Sequence, residues 1–206
     1  MSDDLTAALR AGGSAPLGPA PAEAARRLGP RADREGLLDV AYATVDSPLG
    51  PLLAAGTRRG LAMLAYEDER TDALLERLAV RISPRILEAP ARLDPVRREL
   101  EEYFEGRRTG FDVPIDWTLV RGFAIDVLQH TARIPYGGAS TYAQIAAAAG
   151  SPRAHRAAGN ALGSNPMPIV VPCHRVLHSG GGLGGYTGGL HRKRFLLDLE
   201  AGRLTV

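Results

Sequence analysis

The chain has one cysteine in 206 residues. A lone thiol excludes an internal disulfide and any metal site built from several cysteines, and it suggests a reducing compartment. Lysine is as scarce: of 25 lysines and arginines only Lys193 is a lysine. Arginine suits phosphate forks and stacking better than lysine does, although a GC-rich genome enriches it too. No apolar stretch approaches the ~20 residues of a membrane span. Met1-Ser2-Asp3-Asp4 does not open a basic leader ahead of an apolar run. No secretory signal is therefore expected, and the cytoplasm is the expected compartment. Charge of one sign is lacking as well, since the formal net charge is only +2 and says little about partners. What is present is 45% hydrophobic content. At this length that supports one sizeable packed domain or two small ones.

Residues 1–36 read as a flexible tail. The run from Ala11 to Pro21 is Gly/Pro/Ala-rich and cannot bury enough apolar surface to offset the cost of ordering. Short helices near Leu5–Arg10 or Glu23–Leu28 are conceivable. Residues 37–116 read as a small α/β domain. Val40–Val45, Leu52–Ala55 and Leu61–Tyr66 are short β runs joined by turns at Ser47–Gly50 and Arg58–Gly60, a hairpin meander. Arg70–Ile82 carries Leu74, Leu75, Leu78 and Ile82 at helical spacing. Asp94–Gly106 repeats the pattern, with Asp94 as N-cap, Pro95 at the first helical position and Gly106 as stop. Phe111–Trp117 links to a helical C-terminal domain over 117–206, which opens with a helix over Leu119–Ala132.

Ser140 or Thr141 can cap a helix over Tyr142–Ala149. Gly150-Ser151-Pro152 turns the chain into a second short helix over Arg153–Leu162. Two short helices around a Gly-containing turn match the helix-turn-helix unit, though an ordinary helical hairpin has the same pattern. Ala157, Ala158, Gly159 and Ala161 would allow close approach to a backbone, with Arg156 available for a groove or an emptied base-stack position. Gly163–Pro168 then leads into Ile169-Val170-Val171-Pro172-Cys173-His174-Arg175-Val176, an apolar run that reads as a buried strand with a cationic pair beside the thiol. That setting would favour the thiolate, the nucleophilic form; a buried structural cysteine is the alternative. Ser179–Gly189 is rich in glycine but lacks the Lys-Ser/Thr ending of a phosphate loop. Glycines of this density suit a backbone that closes over a flat ligand, with Tyr186 as a wall. A final helix over Leu190–Glu200 can return Glu200 towards the core.

These motifs resemble the O6-alkylguanine-DNA alkyltransferases. Pro172-Cys173-His174-Arg175-Val176 is similar to that family's active-site motif. It is flanked by Asn165-Pro166-Met167-Pro168 and by Gly184-Gly185-Tyr186-Thr187-Gly188-Gly189-Leu190. Ile134–Gly137 and Ser140–Ala146 resemble the entry to its helix-turn-helix. Ser47–Leu52 and Glu102–Gly106 resemble patterns in its N-terminal domain. The resemblance spans about residues 38–203 and is most specific over 134–200. Leu119–Leu128 departs from the family's Thr-Pro-Phe-Gln pattern, and the tail has no counterpart in the minimal architecture. The multi-cysteine sensor domain of some relatives is absent.

The resemblance implies DNA repair by base flipping. The helix over 153–162 would bind the minor groove of double-stranded DNA, and Arg156 would fill the gap left by the flipped O6-alkylguanine. Cys173 would accept the alkyl group irreversibly, in one turnover, through a Cys173–His174–water–Glu200 relay. O4-alkylthymine would be a second substrate. Tyr142 would serve the guanine N3 and the Thr187 N–H its O6, while carbonyls near Cys173 and Val176 would hold the exocyclic amine. Asn165 would tie the helix-turn-helix to the active-site segment, and Tyr186 would wall the pocket. Neighbours on an extended strand point opposite ways, so Cys173 and His174 need a bend or a bridging water. No cofactor or metal is expected: the spacing of Cys173, His174, His178 and His191 matches no zinc pattern. The protein is expected to act as a monomer. The rival readings are a non-catalytic lesion-binding protein of the same fold, disfavoured because Cys173 is present, and a cysteine hydrolase using Cys173 and His174.

Overall fold

The computed structural model describes residues 35–67 and 71–204. The expected tail falls outside the described residues except for Glu35 and Gly36. The meander forms as β1 (Val40–Val45), β2 (Leu52–Thr57) and β3 (Gly60–Tyr66), antiparallel in that order. Its first turn closes through the Gly50 N–H donating to the Ser47 carbonyl at 3.0 Å. A fourth strand that the sequence pattern did not mark, β4 (Ile86–Glu88), lies parallel to β1 on its other side. The sheet is therefore mixed, in the order β3-β2-β1-β4, and not purely antiparallel as expected.

Both faces of the sheet are covered, which explains why β2 and β3 are apolar throughout. Helix α1 (Thr71–Arg81) lays Leu74 and Leu78 against Val40, Leu53, Ala55 and Met63. Helix α2 (Asp94–Phe104) packs Val96, Leu100 and Tyr103 on the face that carries Ala43, Leu52, Ala54 and Leu64. Asp94 is not the cap expected of it. A 3₁₀ turn over Pro90–Leu93 feeds straight into α2, so Asp94 already has helical angles and pairs with Arg97 at 3.4 Å. Gly106 does end the helix, in the left-handed region (φ 72°) with its N–H on the Tyr103 carbonyl.

The segment after α2 runs along the outer edge of β3. Leu61 N–H donates to Pro114 O and Asp116 N–H to Leu61 O, both at 2.8 Å. Gly60 makes this docking possible, because a Cβ there would collide with the Pro114 carbonyl. Asp116 is buried and accepts from Thr57 Oγ1 at 2.6 Å and from the Thr118 backbone at 3.0 Å, which starts a 3₁₀ turn over Trp117–Leu119. Gly122 in the left-handed region (φ 56°) separates that turn from α3 (Phe123–Ala132), so the helix starts later than Leu119.

The remaining helices are α4 (Tyr142–Ala148), α5 (His155–Gly163) and α6 (Leu190–Glu200). The first two pack on α3 and the last against the Cys173–Arg175 turn. Thr141 caps α4 in a reciprocal box: its Oγ1 accepts from the Gln144 N–H at 3.2 Å, and Gln144 Oε1 accepts from the Thr141 N–H at 2.8 Å. One continuous apolar cluster runs from Leu52 and Leu100 through Val127 and Ile145 to Leu196. No described helix is long and apolar enough to cross a membrane.

Candidate active site

Pro166, Pro168 and Pro172 each lack a backbone donor, so the segment leading to Cys173 cannot join a ladder as expected. It folds on itself. Val171 N–H donates to Met167 O at 2.8 Å, and Ile169 takes φ 74°, the sole positive φ among described non-glycine residues. Its Pro166 carbonyl instead accepts from Leu64 of β3 at 2.8 Å. Cys173–Arg175 is a 3₁₀ turn, and only Val176–Leu177 is extended, as β6. That two-residue strand pairs in parallel with β5 (Ser140–Thr141), joining the active-site segment to the start of α4. The bend required between Cys173 and His174 is this turn.

His174 and Arg175 do not serve the sulfur directly, as the cationic-pair reading supposed. Both turn to Glu200 at the end of α6. Glu200 Oε1 lies 2.8 Å from His174 Nε2, and the carboxylate accepts from Arg175 Nε and Nη2 at 2.8–3.1 Å. Tyr103 OH at 2.6 Å and the Gly137 N–H at 3.1 Å also donate to it. Burial raises this carboxyl, but the bonds from His174, Arg175 and Tyr103 outweigh burial and hold it at about 2. Burial pushes His174 below its usual range despite Glu200, so the ring is neutral at pH 7. With Nε2 committed to Glu200, Nδ1 is buried and has no partner among the described residues.

The Cys173 sulfur has different company. Asn165 Nδ2 donates to it at 3.2 Å and to the Val171 carbonyl at 2.8 Å, while Asn165 Oδ1 accepts from the Met167 N–H at 3.0 Å. Burial raises the thiol above its ordinary value; the Asn165 bond and the Lys193 charge only partly oppose that. The resting group is thus a thiol, not the thiolate expected from the neighbouring cations. Lys193 is fully buried, its Nζ 2.7 Å from the Val176 carbonyl. Neither Lys193 nor Tyr103 was read from the sequence as a site residue, although the single lysine of an arginine-rich chain was a signal that could have been followed.

Cys173 opens onto a cavity of about 550 Å³ whose lining includes Tyr142, Arg156, Gly159, Tyr186 and Thr187. Tyr142 is the first residue of α4. Its phenol is raised by burial and lowered by a bond to the Gly185 backbone, and Gly184 (φ 70°) leaves room for its hydroxyl. Arg156 is exposed on α5 at the mouth. Thr187 Oγ1 bonds the Gly163 carbonyl, pinning the glycine loop to the end of α5. Six candidate residues thus meet at one cavity or its sulfur: Cys173, Tyr142, Arg156, Asn165, Tyr186 and Thr187. Glu200 and His174 are buried and do not line the cavity, and the Val176 carbonyl is engaged by Lys193.

Two family models match, in order along the chain. The ribonuclease-like domain of 6-O-methylguanine DNA methyltransferase covers residues 40–117, and its DNA-binding domain covers residues 122–202. The chain belongs to this family. The methylated-DNA–protein-cysteine methyltransferase of Methanosarcina barkeri is 39% identical over 79% of this chain and 98% of its own length. That of Mycobacterium bovis is 41% identical over 79% and 93%. The crystal structure of Mycobacterium tuberculosis OGT in complex with DNA superposes with a TM-score of 0.68 at 38% identity, covering 80% of this chain and 95% of that one. The small sheet domain falls within the first of the two family models and the helical domain within the second. The DNA-binding model spans α4, α5, Cys173 and Glu200 together, so the cavity lies within the family's DNA-binding part.

Proposed function

We propose that this methyltransferase repairs double-stranded DNA by moving the alkyl group of O6-alkylguanine, and of O4-alkylthymine, onto Cys173. The observation that carries this reading is the junction at the sulfur. On one side is an open cavity walled by the second helix of a helix-turn-helix, and on the other a buried His174–Glu200 pair. In this reading residues 37–116 brace the site and residues 117–206 bind DNA and react. The lone thiol suits a reducing cytoplasm, and the protein works as a monomer.

An alkylated base inside a duplex is out of reach, so it must leave the stack, at a cost of a few kcal/mol. Helix α5 enters the minor groove, whose degenerate code suits a protein that must ignore sequence. Arg156 takes the vacated place in the stack. The flipped ring enters between Tyr142 and Tyr186. Cys173 loses its proton through one water to His174 Nδ1, and Glu200 stabilises the imidazolium that forms. The S–C bond forms as the C–O6 bond breaks. The electron pair passes to the purine, which Tyr142 protonates at N3 while the Thr187 N–H faces O6. The thioether has no easy reversal, so each molecule acts once.

The test is intact-protein mass spectrometry after incubation with an O6-methylguanine duplex. The expected result is a gain of one methyl on the Cys173 peptide, absent in Cys173→Ser. Product formed in excess over protein would instead indicate a hydrolase. Arg156→Ala should slow repair in duplex more than reaction with free O6-benzylguanine, and equal losses would remove the stack-filling role.

A further inference from the structure

The two halves of the molecule meet at a contact that the transfer chemistry does not explain. Tyr66 ends β3, and its hydroxyl lies 2.9 Å from that of Tyr186, with the rings edge-on at 6.4 Å. Arg192 of α6 stacks over the Tyr66 ring at 4.1 Å. It donates from Nε to the Leu49 carbonyl at 3.2 Å and from Nη1 to the Gly188 carbonyl at 3.1 Å. Gly188 is a glycine for the same reason: a side chain there would run into the Tyr66 ring. The β1–β2 turn, the end of β3, the glycine loop and α6 thus converge on one phenol.

Tyr186 is also a shared wall. It lines the 550 Å³ cavity and a second cavity of about 170 Å³ between the halves, bounded by Met63, Tyr66, Leu74 and Pro168; Cys173 borders both. The position of the Tyr186 ring therefore decides how much space adjoins the sulfur. We propose that Tyr66 is a positioning residue for alkyl transfer: its hydroxyl fixes the Tyr186 ring beside Cys173 and so limits the size of group the site accepts. This rests on the reading of Cys173 as acceptor and Tyr186 as pocket wall. The N-terminal sheet is then a determinant of substrate range, acting through one hydrogen bond.

Tyr66→Phe removes the hydroxyl and keeps the ring beneath Arg192 and against Gly188. Single-turnover rates of Cys173 alkylation are measured with the full chain on duplexes carrying O6-methylguanine or O6-benzylguanine. The benzyl-to-methyl rate ratio should rise roughly 3- to 10-fold, the scale of one lost hydrogen bond, with affinity for undamaged duplex unchanged. Tyr186→Phe cuts the same bond from the other side and should raise the ratio equally, even if Tyr66→Phe does not fold. The double variant should go no further than either single. A ratio that stays level or falls, or single effects that add, overturns the proposal, because a merely structural contact would slow both substrates alike. An unlabelled Cys173 in the parent protein overturns the acceptor reading, and this one with it; labelling with an unchanged ratio overturns this one alone.

Discussion

At the level of single residues, Glu200 does the most. One carboxylate accepts from a buried histidine, a buried arginine and a buried phenol, and its loss would leave the Arg175 charge buried without a counter-ion at a cost of several kcal/mol, although Arg175 would keep its bond to the Ile134 carbonyl. This coupling has a pH signature. The carboxyl accepts its proton near 4.5 in an unfolded chain and only near 2 in the fold. Between those values the unfolded chain binds the extra proton, so stability is full above about 4.5 and drains away as pH falls towards 2, by on the order of 3 kcal/mol. His174, whose affinity for a proton is also depressed in the fold, adds loss of the same sign starting below its ordinary 6.5. Urea unfolding at pH 7, 4 and 3 should show this decline. Glu200→Gln should be less stable at pH 7, where Arg175 loses its counter-ion, and its decline between pH 4 and 3 should be shallower.

At the level of elements, the glycine loop fixes Tyr142. Gly184 lies in the left-handed region, and a methyl there would meet the Tyr142 hydroxyl. Gly184→Ala should cut the alkylation rate by about tenfold or more, given how steeply rate depends on positioning. Melting temperature should fall by only a few degrees, the effect of about 1–2 kcal/mol of strain in a left-handed alanine. Single-turnover kinetics beside thermal melting would check this pair of outcomes. Elements whose cause is local were legible in the sequence: a cap at Ser140 or Thr141, the Gly106 stop, the meander and α6. Those set by tertiary pairing were not. β4, β5 and β6 have two or three residues, too few for a period, and exist only because a neighbour offers its edge. The apolar run before Cys173 read as a strand because hydrophobicity reports burial, and three prolines decided its conformation instead. The residues around the cavity were legible through motif resemblance. Lys193 and Tyr103 were not, because the fold alone brings them to Val176 and Glu200.

At the level of the whole molecule, a single apolar cluster spans both halves, so they should unfold together. Gly60 is the position that tests this. Gly60→Ala drives a methyl into the Pro114 carbonyl, at a backbone angle (φ 135°) that side chains rarely adopt. It should lift the 114–116 segment from β3, expose the Asp116 bonds and lower stability by about 2 kcal/mol or more. Calorimetry should show one transition for the parent protein and a lower or split one for the variant.

The same docking has a further effect. A sheet's outermost strand normally offers other chains a row of unsatisfied amides and carbonyls. Here the outer row of β3 is spent on Pro114, Asp116 and Pro166, and the opposite rim is the three-residue β4. Little is left for a stranger to zip onto. Concentrated samples should therefore stay clear and free of fibrils for as long as the linker remains seated.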